Sequence, residues 1–436
     1  MNVLFVSNEM IGGNLSRLMQ DEGCDVRLYI NDRSQKNLFK NIVPKVDDWK
    51  KSLDWVGKDG LIVFDDVNFG KEQDVLRKKG YNVFGGSKLG DRLENDRSFA
   101  HDIFVKYNIP TFELKNFSNI NKAVKYIKKN PACWVTKQND SHYPKILSYV
   151  GQFEDGSDVL DFLSSYSASH NVKHRGITIQ KRVYGIEMGI GRYFNGKKWV
   201  GPIEVNFEHP HLYGHKDAPC VGEMGTLAWY DDDENNKLFN ETLAKLEPFL
   251  IEANFKGDMS LNCIVNESGP IVLEATSRLG SPIVHLQSEI QESPWSEFMM
   301  AIAKGEDYNL KWKKGFGIVT LIATPPFPYA SHEVAALLNG VTVHLSDLSE
   351  DELKSVHLED VAADKNNGDD LRYYIEDCSG YIAYVTSVDP DISKARQRVV
   401  DIAKKIHIPN MFYRDDIGRD FENSEKELLI KWGYIN

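Results

Sequence analysis

The sequence predicts an α/β protein with an N-terminal doubly wound parallel sheet, a mixed α/β middle and a β-rich α+β C-terminal part. Three observations predict it. Over the first 90 residues, short β-branched runs alternate with amphipathic stretches, the pattern of parallel strands with crossover helices. The middle holds two strand-like runs, MSLNCIV (259–265) and IVLEAT (271–276), joined by Asn-Glu-Ser-Gly, which reads as a hairpin. After Gly315 the texture changes to repeated apolar strand runs broken by Pro325-Pro326.

In chain order, residues 2–7 (NVLFVS) are a buried strand, Gly12 and Gly13 follow, and a helix carries Leu15, Leu18 and Met19. Residues 25–29, 61–64 and 81–84 are further strands, with a helix over 71–79. Ligands bind such sheets at the carboxyl ends of the strands. That rim holds Asn8, Gly12, Gly13, Asp65, Asp66 and residues 85–88. The Gly-Gly pair fits a substrate-holding turn or an ordinary tight turn.

Asp96 caps a helix over 96–107, and residues 112–187 form a small α/β block. Its strand WVTK ends in Lys137, and Lys145 stands eight residues on, across a polar loop. Such a pair can reach nucleotide phosphates, although exposed lysines are common. Residues 177–183 alternate as a half-buried strand. Glu187 precedes the next, 188–194, and a surface carboxylate beside Arg192 is its alternative reading. Residues 204–234 read as one long irregular loop. The spacing of His209, His211 and His215 fits no zinc motif, so the loop, with Gly222 and Gly225, reads as a substrate loop. An amphipathic helix is expected over 238–253 and another over 293–303. Strands are expected at 316–323, 340–345, 371–375 and 380–385, and a helix at 391–406.

The hairpin carries the chemistry. Pairing its strands places Asn262, Glu274 and Thr276 at one end, three hard oxygen ligands suited to Mg²⁺ among phosphates. Arg278 follows, a planar fork for phosphate or carboxylate. The same residues also fit a Glu274 simply paired with Arg278, without metal.

Composition narrows the function classes. A formal net charge of −12 disfavours non-specific nucleic-acid binding. Five scattered cysteines without a CxxC pair read as free thiols in a reducing compartment. The N-terminus lacks the pattern of a signal peptide, and no apolar run nears the ~20 residues of a membrane span. A cytoplasmic protein with no nucleic-acid or membrane partner is expected.

Over nearly its full length, the chain resembles the glycinamide ribonucleotide synthetase (phosphoribosylamine–glycine ligase) family of the ATP-grasp superfamily. The matching segments run in order. They begin with residues 3–13, Phe84-Gly85-Gly86 and the helix start Asp96-Arg97-Ser98-Phe99. Lys137, Lys145, Gly185-Ile-Glu187 and Lys216-Asp217…Gly222-Glu223-Met224-Gly225 come next. The metal strand Glu274-Ala-Thr276-Ser-Arg278-Leu-Gly280-Ser-Pro282 follows, and then Tyr413-Arg414-Asp415-Asp416-Ile417-Gly418, the most specific match.

The resemblance implies four domains: a pre-ATP-grasp domain (1–93), an ATP-grasp core (94–112 and 188–314), a lid (113–187) and a C-terminal domain (315–436). It implies ATP and Mg²⁺ (or Mn²⁺) as cofactors, with Arg97, Lys137, Lys145, Gln180, Lys181, Val183 and Glu187 on the nucleotide. Asn262, Glu274 and Thr276 would hold the metal, and Arg278 and Lys145 would be catalytic. Asn8, Gly12, Gly13, Asp65, Lys216, Asp217, Gly225 and Arg278 would meet substrate. The partners implied are small molecules, an amino acid and a phosphorylated amine, for a monomer or homodimer. Departures cluster on the substrate side: Glu223 replaces a glycine, and Ser281 and Ile283 replace two acids. Two other readings therefore stand beside glycinamide ribonucleotide synthesis: a ligase of the same scaffold with other substrates, and a nucleotide-binding protein without catalysis.

Overall fold

Four parallel strands open the chain: β1 (Asn2–Ser7), β2 (Asp25–Ile30), β3 (Leu61–Phe64) and β4 (Asn82–Phe84), in the order β2-β1-β3-β4. The computed structural model describes residues 1–138, 148–167, 176–215, 218–329, 331–365, 371–376 and 379–436. Alternation along β1 and β3 sends Leu4, Val6, Ile62 and Phe64 to one face, against Trp49 and Leu76. Val3, Phe5, Leu61 and Val63 face the main core. A sheet buried on both faces reads as continuous apolar runs, which is why these strands are legible in the sequence.

The next block is a separate lobe. Strands β5 (Lys115–Phe117), β6 (Trp134–Gln138), β7 (Tyr149–Val150) and β8 (Ile177–Lys181) form an antiparallel sheet ordered β5-β8-β6-β7. Ile120 and Ile127 of the helix Ile120–Lys129 pack with Leu163 of the helix Ser157–Ser167 against Trp134, Ile177 and Ile179, a core independent of the rest.

The largest element is an eight-stranded sheet. It contains β9 (Ile186–Asn195), β10 (Trp199–Glu208), β11 (Gly225–Asp231), β12 (Lys256–Asn266), β13 (Gly269–Thr276), β14 (Phe316–Ala323), β15 (Val356–Leu358) and β18 (Tyr381–Asp389), in the order β13-β12-β9-β10-β11-β14-β18-β15. The C-terminal strands thus extend the central sheet through β11 and β14. Strands β16 (Val361–Lys365) and β17 (Leu371–Ile375) form a separate two-stranded ladder.

Several expectations are corrected. Residues 204–234 are not one loop, because β10 runs through residue 208 and β11 occupies Gly225–Asp231. Gly201 and Pro202 hide β10 in the sequence, and its register with β9 shifts between Val200 and Glu204, where a proline is tolerated. The helix expected over 238–253 is three pieces, Lys237–Glu241, Leu243–Leu246 and Glu247–Glu252. Thr242 (φ −128°, ψ −87°) breaks the first, and Pro248 sits in the first turn of the last, where its missing N–H costs nothing. Residues 340–345 are not a strand and make only isolated bridges, Thr342 to Tyr374 and His344 to His407. Among the described residues, no helix is long and apolar enough to cross a membrane.

Candidate active site

The hairpin β12–β13 forms as its turn chemistry predicts, closing from Asn266 to Gly269, with Gly269 at φ 129°. Asn262 stands directly opposite Glu274, and Ser260 opposite Thr276. Asn262 and Ser260 in turn face Gly189 and Gly191 of β9, which face Asn206 and Glu204 of β10. Alternation gathers these side chains on one face of the sheet. The glycines leave room there: a Cβ on Gly189 would lie 2.2 Å from Asn206 Oδ1.

Two elements converge on Glu274, itself on β13. Arg97, at the start of the helix Arg97–Lys106 capped by Asp96, places Nη1 3.9 Å from Glu274 Oε2. Lys137, on β6 of the separate lobe, places Nζ 4.0 Å from the same oxygen. Lys137 pairs with Thr178 across the lobe's sheet, and Val135 with Gln180, so these four share one face. Gln180 is buried, and among the described residues its Oε1 has no hydrogen-bond partner, an orphan acceptor that a ligand N–H would satisfy. Lys181 alternates to the opposite face, near Glu113. Val183 lies on the link between lobe and core. Lys145, Lys216 and Asp217 lie outside the described residues.

Arg278 does not pair with Glu274. Its Nε donates to Glu94 Oε1 at 3.2 Å and lies 3.7 Å from Asp66 Oδ1. The other Glu94 oxygen accepts from Ser277 N–H at 2.7 Å. Glu94, on the helix Lys88–Asn95, is a functional candidate that the sequence reading missed, since nothing local distinguishes it from a helix-surface acid.

A cavity of about 640 Å³ opens where the N-terminal sheet, the central sheet and the C-terminal strands meet. Its carboxylates are Glu9, Glu208, Glu223, Glu274, Glu359 and Asp360, and Arg278 is the cation among its lining residues. Burial, followed by repulsion from Glu187, pushes Glu208 up to about 7. Burial and then Glu208 raise Glu223, and burial and then Glu274 raise Glu187. Such a surface calls for cationic charge. Among the described residues, no group of three or more His, Cys, Asp or Glu side chains could hold a metal alone. Mg²⁺, however, takes one or two carboxylates and completes its shell with phosphates and water. Glu274, about half exposed, with Asn262 and Thr276 beside it, fits that partial donor set.

The N-terminal rim reaches the cavity through Glu9, Met10 and Ile11. Gly12 instead turns inward and gives its N–H to the buried Asp65 at 2.6 Å, while Asn8 accepts from Asn31. Gly13 is packed on Met10 and Phe39. Gly12, Gly13 and Asp65 therefore build the turn behind the cavity wall and do not line the cavity. Gly225 is also structural: a Cβ there would meet Val319 O at 2.4 Å and Ile417 at 2.9 Å. Arg414, in the motif singled out near the C-terminus, holds Asp416 and donates to His211 O at 2.9 Å. Gly418 N–H donates to His209 Nε2 at 3.0 Å. That motif clamps the 209–224 loop. Glu223, bonded to His209 N–H and Thr226, is the residue the clamp presents to the cavity.

Residues 95–283 match the phosphoribosylglycinamide synthetase ATP-grasp (A) domain family. These residues form an ATP-grasp domain. The ATP-grasp domain runs from the Arg97 helix through the lobe carrying Lys137 to the Glu274 hairpin, so the three groups that converge all belong to it. Beyond the domain, the chain is 22% identical over 359 residues to the phosphoribosylamine–glycine ligase of Caldanaerobacter subterraneus subsp. tengcongensis, covering 80% of this chain and 81% of that one. It is 23% identical over 355 residues to the same-named protein of Vibrio parahaemolyticus, covering 79% of each. The crystal structure of phosphoribosylamine–glycine ligase from Thermotoga maritima superposes with a TM-score of 0.70 at 18% identity, covering 96% of this chain and all of that one. The fold is thus that of an ATP-grasp protein from the N-terminal parallel sheet to the C-terminal strands.

Proposed function

We propose that the protein is an ATP-dependent carbon–nitrogen ligase that joins glycine to 5-phosphoribosylamine through an acyl phosphate, releasing ADP and phosphate, in purine biosynthesis. The observation that carries the reading is the meeting of Arg97 and Lys137 over Glu274 inside a domain matched to that family. Phosphoryl transfer requires charge neutralisation and positioning more than it requires a protein nucleophile. Arg97 and Lys137 neutralise the phosphate chain, and Lys145 is assigned to it from the sequence pattern. Glu274, Asn262 and Thr276 hold Mg²⁺ or Mn²⁺, which supplies Lewis-acid neutralisation of the phosphates when bound. Arg278, anchored by Glu94 and Asp66, presents its remaining edge to the carboxylate being activated. Glu187, at the start of β9 beneath the lobe, is assigned to the nucleotide ribose. Residues 113–187 act as a lid that excludes water from the acyl phosphate. The reading fits a cytoplasmic enzyme of small molecules, acting as a monomer or homodimer.

A second reading has one specific observation in its favour. Glu223, Ser281 and Ile283, three of the positions that depart from the family pattern, all line the same cavity. It is a ligase of the same chemistry with another amino acid or amine. Product analysis by mass spectrometry tests both readings. With ATP, Mg²⁺, glycine and freshly made phosphoribosylamine, the first predicts one amide product per ADP and phosphate, and none when either substrate is omitted. ADP formation only with other acid–amine pairs would favour the second. No ADP with any pair would contradict both.

A further inference from the structure

We propose that Glu208 is a positioning residue for the metal site: it fixes the Asn262 side chain so that the amide oxygen is the atom offered to the cation. The proposal rests on the ligase reading, in which Asn262, Glu274 and Thr276 hold Mg²⁺, and adds to it a residue that no sequence motif marks. An asparagine amide has one edge that binds a metal and one that does not. Its oxygen is a hard donor, whereas its NH₂ group only donates hydrogen bonds. The two edges have nearly the same shape, so the partner of the NH₂ group decides which edge meets the metal. Asn262 Nδ2 donates to Glu208 Oε1 at 3.2 Å. Among the described residues, the Asn262 side chain makes no other hydrogen bond, which leaves its oxygen uncommitted. A carboxyl group accepts such a bond in either protonation state, so the orientation does not require Glu208 to be charged.

The sheet explains how Glu208 reaches its partner. Glu208 ends β10, Asn262 lies on β12, and β9 runs between them, so their backbones stand about 10 Å apart. Asn262 is paired with Gly189 of β9, and Gly189 with Asn206 of β10. Glu208 is two residues beyond Asn206 and shares its face of the sheet. Gly189 puts no side chain into the intervening row, where a Cβ would lie 2.2 Å from Asn206 Oδ1. The open row lets the Glu208 side chain cross β9 to Asn262. Glu208 thus approaches from the β10 side, while Glu274 faces Asn262 from β13, the strand on its other flank. With its NH₂ edge turned to β10, the amide presents its oxygen edge toward Glu274, over which Arg97 and Lys137 meet. Glu208, Asn262, Glu274 and Thr276 line one cavity. Groups that orient a metal ligand in this way govern affinity without touching the ion.

The test reads metal binding directly, without turnover. The full chain is mixed with ADP and titrated with Mn²⁺, and free Mn²⁺ is followed by its electron paramagnetic resonance signal. Glu208→Ala and Glu208→Ser are both too short to reach Asn262. Each should weaken Mn²⁺ binding by about 10–100-fold with the melting temperature retained. Glu208→Gln keeps an oxygen that can take the same hydrogen bond, and should stay within about threefold of wild type, whereas a direct ligand or a bare field effect would be lost equally in Gln and Ala. In an Asn262→Ala background, Glu208→Ala should add less than about threefold, because the residue acts through Asn262. Wild-type affinity in Glu208→Ala and Glu208→Ser, equal losses in the Gln and Ala variants, or a full further loss in the Asn262→Ala background would overturn the proposal. A wild-type protein that takes up no Mn²⁺ beyond what ADP itself holds would overturn the metal assignment, and the proposal with it.

Discussion

Glu274 sits between two cations contributed by different elements, about 4 Å from each. Its side chain is about half exposed, so replacing it should remove function and leave the fold. Glu274→Ala is expected to lower ATP-dependent turnover by about 10²-fold or more with little change in melting temperature, both read from one preparation. Arg278 is the opposite case. Removing its guanidinium leaves Glu94 and the buried Asp66 without their cation. Arg278→Ala should therefore cost about 3 kcal/mol of stability as well as activity, measured by urea denaturation. An unchanged denaturation midpoint would mean that the acids do not depend on it. At this scale the sequence was informative where chemistry is local. Asn262, Glu274 and Thr276 belong to a hairpin whose turn and strands are contiguous, and their register follows from it. Glu94 comes from a helix position whose role depends on distant neighbours, Ser277 and Arg278, and no spacing rule reveals it.

At the scale of elements, the clamp on the 209–224 loop makes its own prediction. Gly225 has Val319 O and Ile417 where a Cβ would go. Gly225→Ala should force the Arg414–Gly418 segment away, costing about 1–3 kcal/mol, and should raise the KM for substrate more than that for ATP. Equal effects on both would argue that the loop does not shape the substrate side. The elements that the sequence concealed share a physical cause. β10 is interrupted by Gly201 and Pro202 at a register shift, and the broken helix over 237–252 keeps an apolar stripe although Thr242 ends its first turn. Periodicity reports which side chains are buried, and it is blind to a backbone that changes course while burying the same face.

For the whole molecule, buried titratable groups set how stability depends on pH. Burial, followed by Asp66, pushes Asp65 up to about 8, and burial and Glu204 push Asp258 up to about 8. Burial raises Asp360 to about 7. Each binds a proton more tightly folded than unfolded, so its contribution is full below the ordinary carboxylate range and is lost as pH rises through about 7–8. His209 and His285 have the opposite sign. Burial lowers them to about 4 and about 3, so their contribution is full above about 6.5 and is lost as pH falls below it. Burial lowers Lys45 and Lys256 to about 8, and they act in the opposite direction only from about pH 8 upward, so between about pH 6.5 and 7.5 the raised carboxylates dominate and the melting temperature should fall. A flat or rising profile there would contradict the assignment. The order of segments along the chain was readable because each keeps its own composition. That the C-terminal strands continue the central sheet through β11 and β14 was not, because strand partnership across more than 80 residues leaves no mark on either strand.

The most direct test is ADP release from ATP and Mg²⁺ in the presence of glycine and phosphoribosylamine, with wild type and Glu274→Ala measured side by side. The account predicts release that requires both substrates in the wild type and is lost in the variant while its melting temperature is retained. Release that persists in Glu274→Ala at the wild-type rate would contradict a site built around that carboxylate.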